Sequence, residues 1–131
     1  MSDPAAAATA TDTVLVEFPA TEGYRGVGRL VLGGLASRFE LPVDRVEDLL
    51  LAVESLLVHG VAGETVVLTV DAGDEALRVR LGPLVDGGGV SDPAVARVLR
   101  PLVDEATNVT LEDNGHAFAE LLVEARHRRD G

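Results

Sequence analysis

The sequence predicts an α+β two-layer sandwich, a mostly antiparallel sheet with its helices on one face, in the order βααββαββ. Three observations predict it. Residues 43–57 hold an unbroken apolar stripe at helical spacing. Short β-branched or alternating runs occur as two adjacent pairs, each pair joined by turn-type residues, with one further run near the start. Adjacent strand pairs joined this closely make antiparallel hairpins, and the helices then have a single sheet to cover.

Residues 13–18 (TVLVEF) form a β-branched run stopped by Pro19, which reads as the first strand. Tyr24, Val27, Leu30, Val31 and Leu35 then fall at helical spacing and predict a first amphipathic helix over residues 22–39. Gly26, Gly28, Gly33 and Gly34 weaken that helix by up to about 1 kcal/mol each relative to alanine. It must therefore be held by packing, or the glycines admit another element at close range. Pro42 suits the first turn of a second helix, where a missing amide donor costs nothing. Val43, Val46, Leu49, Leu50, Val53, Leu56 and Leu57 form its apolar stripe, while Asp44, Arg45, Glu47, Asp48 and Glu54 fall mostly off it. Gly60 and Gly63 end it and turn the chain.

Residues 64–71 and 75–81 read as a hairpin through Ala72, Gly73 and Asp74. Residues 82–91 are a loop by composition. Ser91 or Asp92 caps a third helix with Pro93 in its first turn and Val95, Val98, Leu99, Leu102 and Val103 on its buried face, ending near Asp104. Residues 106–111 and 116–124 form a terminal hairpin turning at 112–115, where Asn114-Gly115 favours positive backbone angles.

Composition limits the functions open to this chain. Its 131 residues, 47% apolar, fill one core, which we place at residues 13–125 between a disordered tail at 1–12 and a basic tail at 126–131. There is no cysteine, which excludes disulfides and thiol chemistry and is compatible with a reducing cytoplasm, the expected location. The opening residues lack the basic patch and leucine-rich run of a signal peptide. No window approaches the roughly 20 apolar residues that span a bilayer. The net charge is -11, with 22 acids against 11 bases, all of them arginine. Such a field repels phosphate backbones and anionic lipid, so neither nucleic acid nor membrane is an expected partner. The dense basic run Arg126-His127-Arg128-Arg129 reads as a solvated tail.

Specific residues then carry a family resemblance. Phe18-Pro19-Ala20, followed by a helix containing Tyr24-Arg25 and Leu35-Ala36-Ser37-Arg38, resembles the opening of the anti-sigma-factor serine/threonine kinases of the histidine-kinase-like ATPase superfamily. Residues 48–54 (DLLLAVE) resemble the start of their ATPase helix, and residues 100–106 (RPLVDEA) the run into their late hairpin. The resemblance covers roughly residues 14–125 and implies the histidine-kinase-like ATPase fold.

The resemblance also implies a degenerate site. Active relatives carry a glutamate and, four residues on, an asparagine on the second helix, one face serving as general base and magnesium ligand. The matching positions here are Ser55 and His59. Serine is no base near neutral pH without a partner, and magnesium prefers oxygen to imidazole. Glu54 lies about 100° around the helix from Ser55 and does not replace the base. The family's Asp-x-Gly-x-Gly turn, whose aspartate reads the adenine amino group, aligns by strand length with Pro83. A slipped register instead sets Asp86 and Gly88 there, with Val90 where the second glycine belongs. A glycine-rich phosphate lid has no counterpart between Val90 and Arg100. Catalytic and metal-ligating residues are therefore expected to be absent, and no cofactor is expected unless Asp86 and Gly88 keep ATP and magnesium.

Other constellations are weaker. Ser55 and His59 lack the strained nucleophile turn of a hydrolytic triad. His59, His116 and His127 fall on separate elements and read as ordinary histidines rather than metal ligands. Gly87-Gly88-Gly89 has no following Lys-Ser/Thr pair, and Asp86 and Asp92 oppose an anion.

Three functional readings stay open. The first is an anti-sigma-factor-like regulator that binds a sigma factor or an anti-anti-sigma protein without ATP turnover, as a homodimer or heteromer, with Tyr24, Arg25 and Arg29 as partner-binding residues implied by the resemblance. The second is a divergent ATP-binding serine-protein kinase using Asp86. The third is a scaffold whose old pocket has filled with Leu56, Leu57, Val58 and Leu84.

Overall fold

The computed structural model describes residues 12–111 and 115–124. Strand β1 (Asp12–Pro19) leads through a 3-10 turn (Glu22–Tyr24) into helices α1 (Arg25–Arg38) and α2 (Val43–His59). Strands β2 (Thr65–Ala72) and β3 (Ala76–Gly82) follow, then a second 3-10 turn (Gly89–Ser91), helix α3 (Pro93–Leu99), and strands β4 (Glu105–Thr110) and β5 (Ala117–Glu124). The five strands form one sheet in the order β1-β2-β3-β5-β4, every pair antiparallel. The element order and fold class are those expected from the sequence.

Alternation along the strands decides where the core sits. Val66, Leu68 and Val70 of β2, Leu77, Val79 and Leu81 of β3, and Ala119, Leu121 and Val123 of β5 turn to one face and are buried. Leu32, Leu49, Val53, Leu56 and Leu99 of the helices cover that face. The other face is polar: Glu120 receives Arg80 at 2.9 Å and Arg78 at 3.7 Å, and Thr13 donates to Asp71 at 2.7 Å. Phe118 is the buried exception, its ring lying over Gly82, where an added Cβ would come within 2.8 Å of it. Asp12, Ala72, Leu77 and Val123 form one row across four strands, so the described chain enters and leaves at the end of the sheet that holds the β2–β3 turn.

Two expectations about helices need correction. The third helix stops at Leu99 rather than near Asp104, because Pro101 has no N–H to offer the carbonyl of Arg97. Leu102 and Val103 instead reach the core from a turn, both donating to the Leu99 carbonyl. The first helix starts at Arg25, and its buried face is Gly28, Leu32 and Ala36, with Val27 and Leu35 at the margins. Tyr24 and Leu30 point to solvent instead. The shift follows from Gly28, whose missing side chain lets α1 settle onto the Phe18 ring; a Cβ there would meet it at 3.3 Å. The close approach expected of the α1 glycines thus holds for Gly28 alone, since Cβ atoms built at Gly26, Gly33 and Gly34 meet nothing within 4 Å.

Helix ends follow local chemistry. Glu40 takes φ 66 just past α1, while Glu40 and Leu41 donate back to the carbonyls of Ser37 and Ala36 at 3.0 and 3.1 Å. This is a Schellman stop with glutamate where glycine is usual. Pro42 stands one residue before α2 rather than inside it, and Asp92 caps α3 by accepting from the Ala94 amide at 3.0 Å. Arg45 fastens α2 to the sheet: its guanidinium meets Asp104 at 2.7 Å, and the same carboxylate oxygen accepts from the Glu124 amide. Of the terminal hairpin turn, residues 112–114 lie outside the described residues; Gly115 has φ 74 and donates to the Leu111 carbonyl. The tails expected at 1–12 and 126–131 also lie outside, save that Asp12 opens β1.

Candidate functional site

The residues singled out in the sequence gather around the C-terminal half of α2. Ser55 and His59, four apart, stand on the flank of α2 that also bears Arg45 and Asp48; Ser55 is half-buried and His59 exposed. Glu54 stands on the opposite flank, where Arg29 of α1 holds its carboxylate at 3.1 Å. Glu54 and Ser55 therefore face different neighbours. Tyr24 is half exposed, Arg25 is half-buried with a buried Nε that has no hydrogen-bond partner, and Arg29 is exposed. These three lie at or just before the start of α1, and Arg29 among them reaches the flank of α2 that bears Glu54.

The loop of residues 83–92 closes over the end of α2. Strand β3 stops at Gly82, so Pro83 is the first residue beyond it and Asp86 follows near the tip, exposed. The loop is tied at both margins. Pro83 accepts from the Ala62 amide at 2.8 Å, Leu84 bridges Val61, and the Val85 amide donates to the Gly60 carbonyl at 2.8 Å. From the other side Asn108 of β4 accepts from the Val90 amide at 3.1 Å and donates to the Gly88 carbonyl at 3.0 Å and the Ser91 hydroxyl at 3.1 Å.

These ties account for the glycines. A Cβ at Gly88 would meet Val85 at 2.9 Å and the Gly60 carbonyl at 3.3 Å. Gly89, with φ 60, lies against the Asn108 side chain, and a Cβ there would also come within 2.8 Å of Leu84. Both glycines face the protein's own atoms. The structure thus brings Gly88 to the end of α2 in contact with Gly60, while Asp86 stays at the rim.

Asn108 was missed in the sequence, and Gly60, which ends α2 as expected, was not seen as a contact of the loop. Asparagine is disfavoured in strands, so its presence in β4 was the available signal. Beside the loop, a groove of about 430 Å³ runs between α3 and β4. Val90, Ala96, Val103 and Ala106 give it apolar walls, and Arg100, Asp104 and Glu105 its charges. Among the described residues no group of three or more His, Asp or Glu side chains is placed to hold a metal ion. No helix of the described residues is long and apolar enough to cross a membrane.

No protein-family model and no curated protein matches the sequence. Among solved structures, the chain is similar to the crystal structure of the RsbU and RsbW domains of Rv1364c from Mycobacterium tuberculosis, with a TM-score of 0.58. The two share a fold. At 20% identity over 92% of this chain, the likeness extends to the path of the backbone and no further. This chain spans about a third of that structure, 35% of its length.

Proposed function

We propose that this chain is an anti-sigma-factor-like regulatory protein that binds a sigma factor or an anti-anti-sigma protein in the cytoplasm and does not turn over ATP. The sequence resemblance and the fold shared with a structure holding an RsbW domain support the regulatory part. The observation that carries the rest is the packing at the end of α2. Gly88 and Gly89 are turned onto Val85, Gly60, Leu84 and Asn108, and so offer a phosphate no backbone cradle. Ser55 and His59 supply neither a carboxylate base nor an amide oxygen on the flank above. The donor set does not suit nucleotide with magnesium.

Partner contact is assigned to Tyr24, Arg25 and Arg29, which sit together at the exposed start of α1. Tyrosine and arginine fit interface anchors because each combines large area with directional hydrogen bonds. A homodimer is part of this reading. Reversing the charge at Arg25 and Arg29 together is expected to abolish pull-down of the sigma or anti-anti-sigma partner; unchanged capture would remove that assignment.

The deciding experiment is calorimetric titration with ATP and with ADP, each with magnesium. The expected result is no binding tighter than about 100 μM, or roughly 5.5 kcal/mol. Tighter binding that is lost in Asp86→Ala would overturn this reading in favour of a divergent ATP-binding serine-protein kinase. The observation favouring that second reading is Asp86 itself, exposed at the loop tip beside the end of α2.

A further inference from the structure

Apart from Arg29 and its ion pair with Glu54, the solvent side of α1 and α2 takes no part in the candidate site. On α2, Asp44, Glu47, Leu51, Glu54 and Val58 recur at steps of three and four residues and stand in one outward seam. Leu51 is 53% and Val58 44% exposed, whereas Leu49, Val53 and Leu56 on the inner side are wholly buried. The adjoining side of α1 presents Leu30, 80% exposed. Around Leu30 the helix is stripped bare: Gly26, Gly33 and Gly34 are its neighbours one turn away, and none has another atom of the fold within 4 Å of a built Cβ. Arg29 reaches across to Glu54 at 3.1 Å, so the two seams lie side by side.

Charge decides what fits this surface. Beside Leu51 and Val58 the α2 seam carries the carboxylates of Asp44, Glu47 and Glu54 and no base of its own; Arg29 reaches it from α1 in an exposed ion pair that water and salt already weaken. A second copy of this acid-bearing surface is repelled, as are nucleic acid and anionic lipid, by a chain of net charge -11. A helix with an apolar stripe flanked by lysine or arginine meets both the chemistry and the spacing, because a helical groove is read at this same alternation of three and four.

We propose that this two-helix face docks a basic amphipathic helix of a partner protein, with Leu30, Leu51 and Val58 taking its apolar stripe and Glu47 and Glu54 pairing with its flanking cations. The proposal rests on the partner-binding reading above and adds the kind of element the partner brings.

The test uses the full chain and a fluorescently labelled amphipathic peptide of leucine and lysine, about 18 residues long so that it holds a helix. A control peptide has glutamate for every lysine. Binding is followed by anisotropy at low and physiological salt. The lysine peptide is expected to bind and the glutamate peptide not to. Leu30→Ser with Leu51→Ser is expected to weaken binding at least tenfold, equivalent to about 1.4 kcal/mol. Glu47→Lys is expected to weaken it too, whereas Glu75→Lys, the same change of charge at the exposed β2–β3 turn, leaves it unchanged. All substituted side chains are exposed, and circular dichroism checks that each variant is folded.

The proposal is overturned if the serine double variant binds like the parent, or if Glu75→Lys weakens binding as much as Glu47→Lys. Either result means diffuse attraction to an acidic protein. Nucleotide titration and capture through Arg25 and Arg29 test the regulatory reading separately. Capture that depends on those arginines but ignores Leu51 and Glu47 ends this surface and leaves that reading standing; loss of capture with variant-sensitive peptide binding does the reverse.

Discussion

Replacing Asn108 with alanine tests whether the loop of residues 83–92 is fastened as described. The substitution removes three hydrogen bonds, at 3.1 Å to the Val90 amide, 3.0 Å to the Gly88 carbonyl and 3.1 Å to the Ser91 hydroxyl. Each is worth about 0.5–1.5 kcal/mol net, and a buried group left unpaired costs about 1–3 kcal/mol. Ser91 is exposed and turns to water at little cost, whereas Gly88 is buried and Val90 half-buried. Asn108 is itself only partly buried, so water relieves some of the loss. The sum is about 2 kcal/mol. For a domain of this size that lowers Tm by roughly 6–10 °C. Because the opening is local, amide exchange at Val90 is expected to rise roughly thirtyfold, the equilibrium equivalent of the same energy. Urea unfolding and hydrogen exchange measure the two quantities independently. A loss under about 0.5 kcal/mol together with unchanged exchange at Val90 would refute the fastening, and with it the explanation of why Gly88 and Gly89 face inward.

Three further outcomes are expected. Asp104→Ala leaves Arg45, whose side chain is 12% exposed, with Asp48 at 3.7 Å as its remaining carboxylate and frees the Glu124 amide; unfolding in urea should show a loss of about 2–3 kcal/mol, less than for a fully buried pair because the site is partly wet and Asp48 stays. Gly33→Ala adds a methyl group that meets nothing within 4 Å in a helix interior, so stability should rise by roughly 0.5–1 kcal/mol with an unchanged denaturant slope. Glu40→Gly relieves the φ of 66 at the end of α1 and should raise the urea midpoint by the equivalent of about 0.5–1 kcal/mol.

The fold was legible because its signals were local. The α2 stripe and the short-linked strand pairs each depend on residues a few positions apart, and the observed boundaries fall within a residue or two of most of those expected. The end of the third helix was readable too, from Pro101, but the apolar spacing of Leu102 and Val103 outweighed it; a turn delivers those side chains to the core as well as a helix does. The buried face of α1 was obscured because a glycine, Gly28, carries the contact, and glycine contributes nothing to an apolar count.

The candidate site was legible only where one helix builds it. Ser55 and His59 share a flank by spacing alone. The inward turn of Gly88 and Gly89 depends on Asn108, 20 and 19 positions away in the chain, and on Gly60, which sequence spacing could assign only to ending a helix. Likewise the ring of Phe118 over Gly82 joins two strands whose pairing no local pattern specifies.

The row formed by Asp12, Ala72, Leu77 and Val123 has a practical consequence for how this protein is handled and joined to others. From that row to Thr65, at the opposite end of β2, the strand runs about 23 Å at roughly 3.3 Å per residue. An affinity tag, a dye or a neighbouring domain attached at either end of the described chain therefore departs from the side remote from Gly60 and the loop of residues 83–92. A tether fixed to the sheet at that row, for instance through Glu124, leaves that loop presented to whatever is flowed across it.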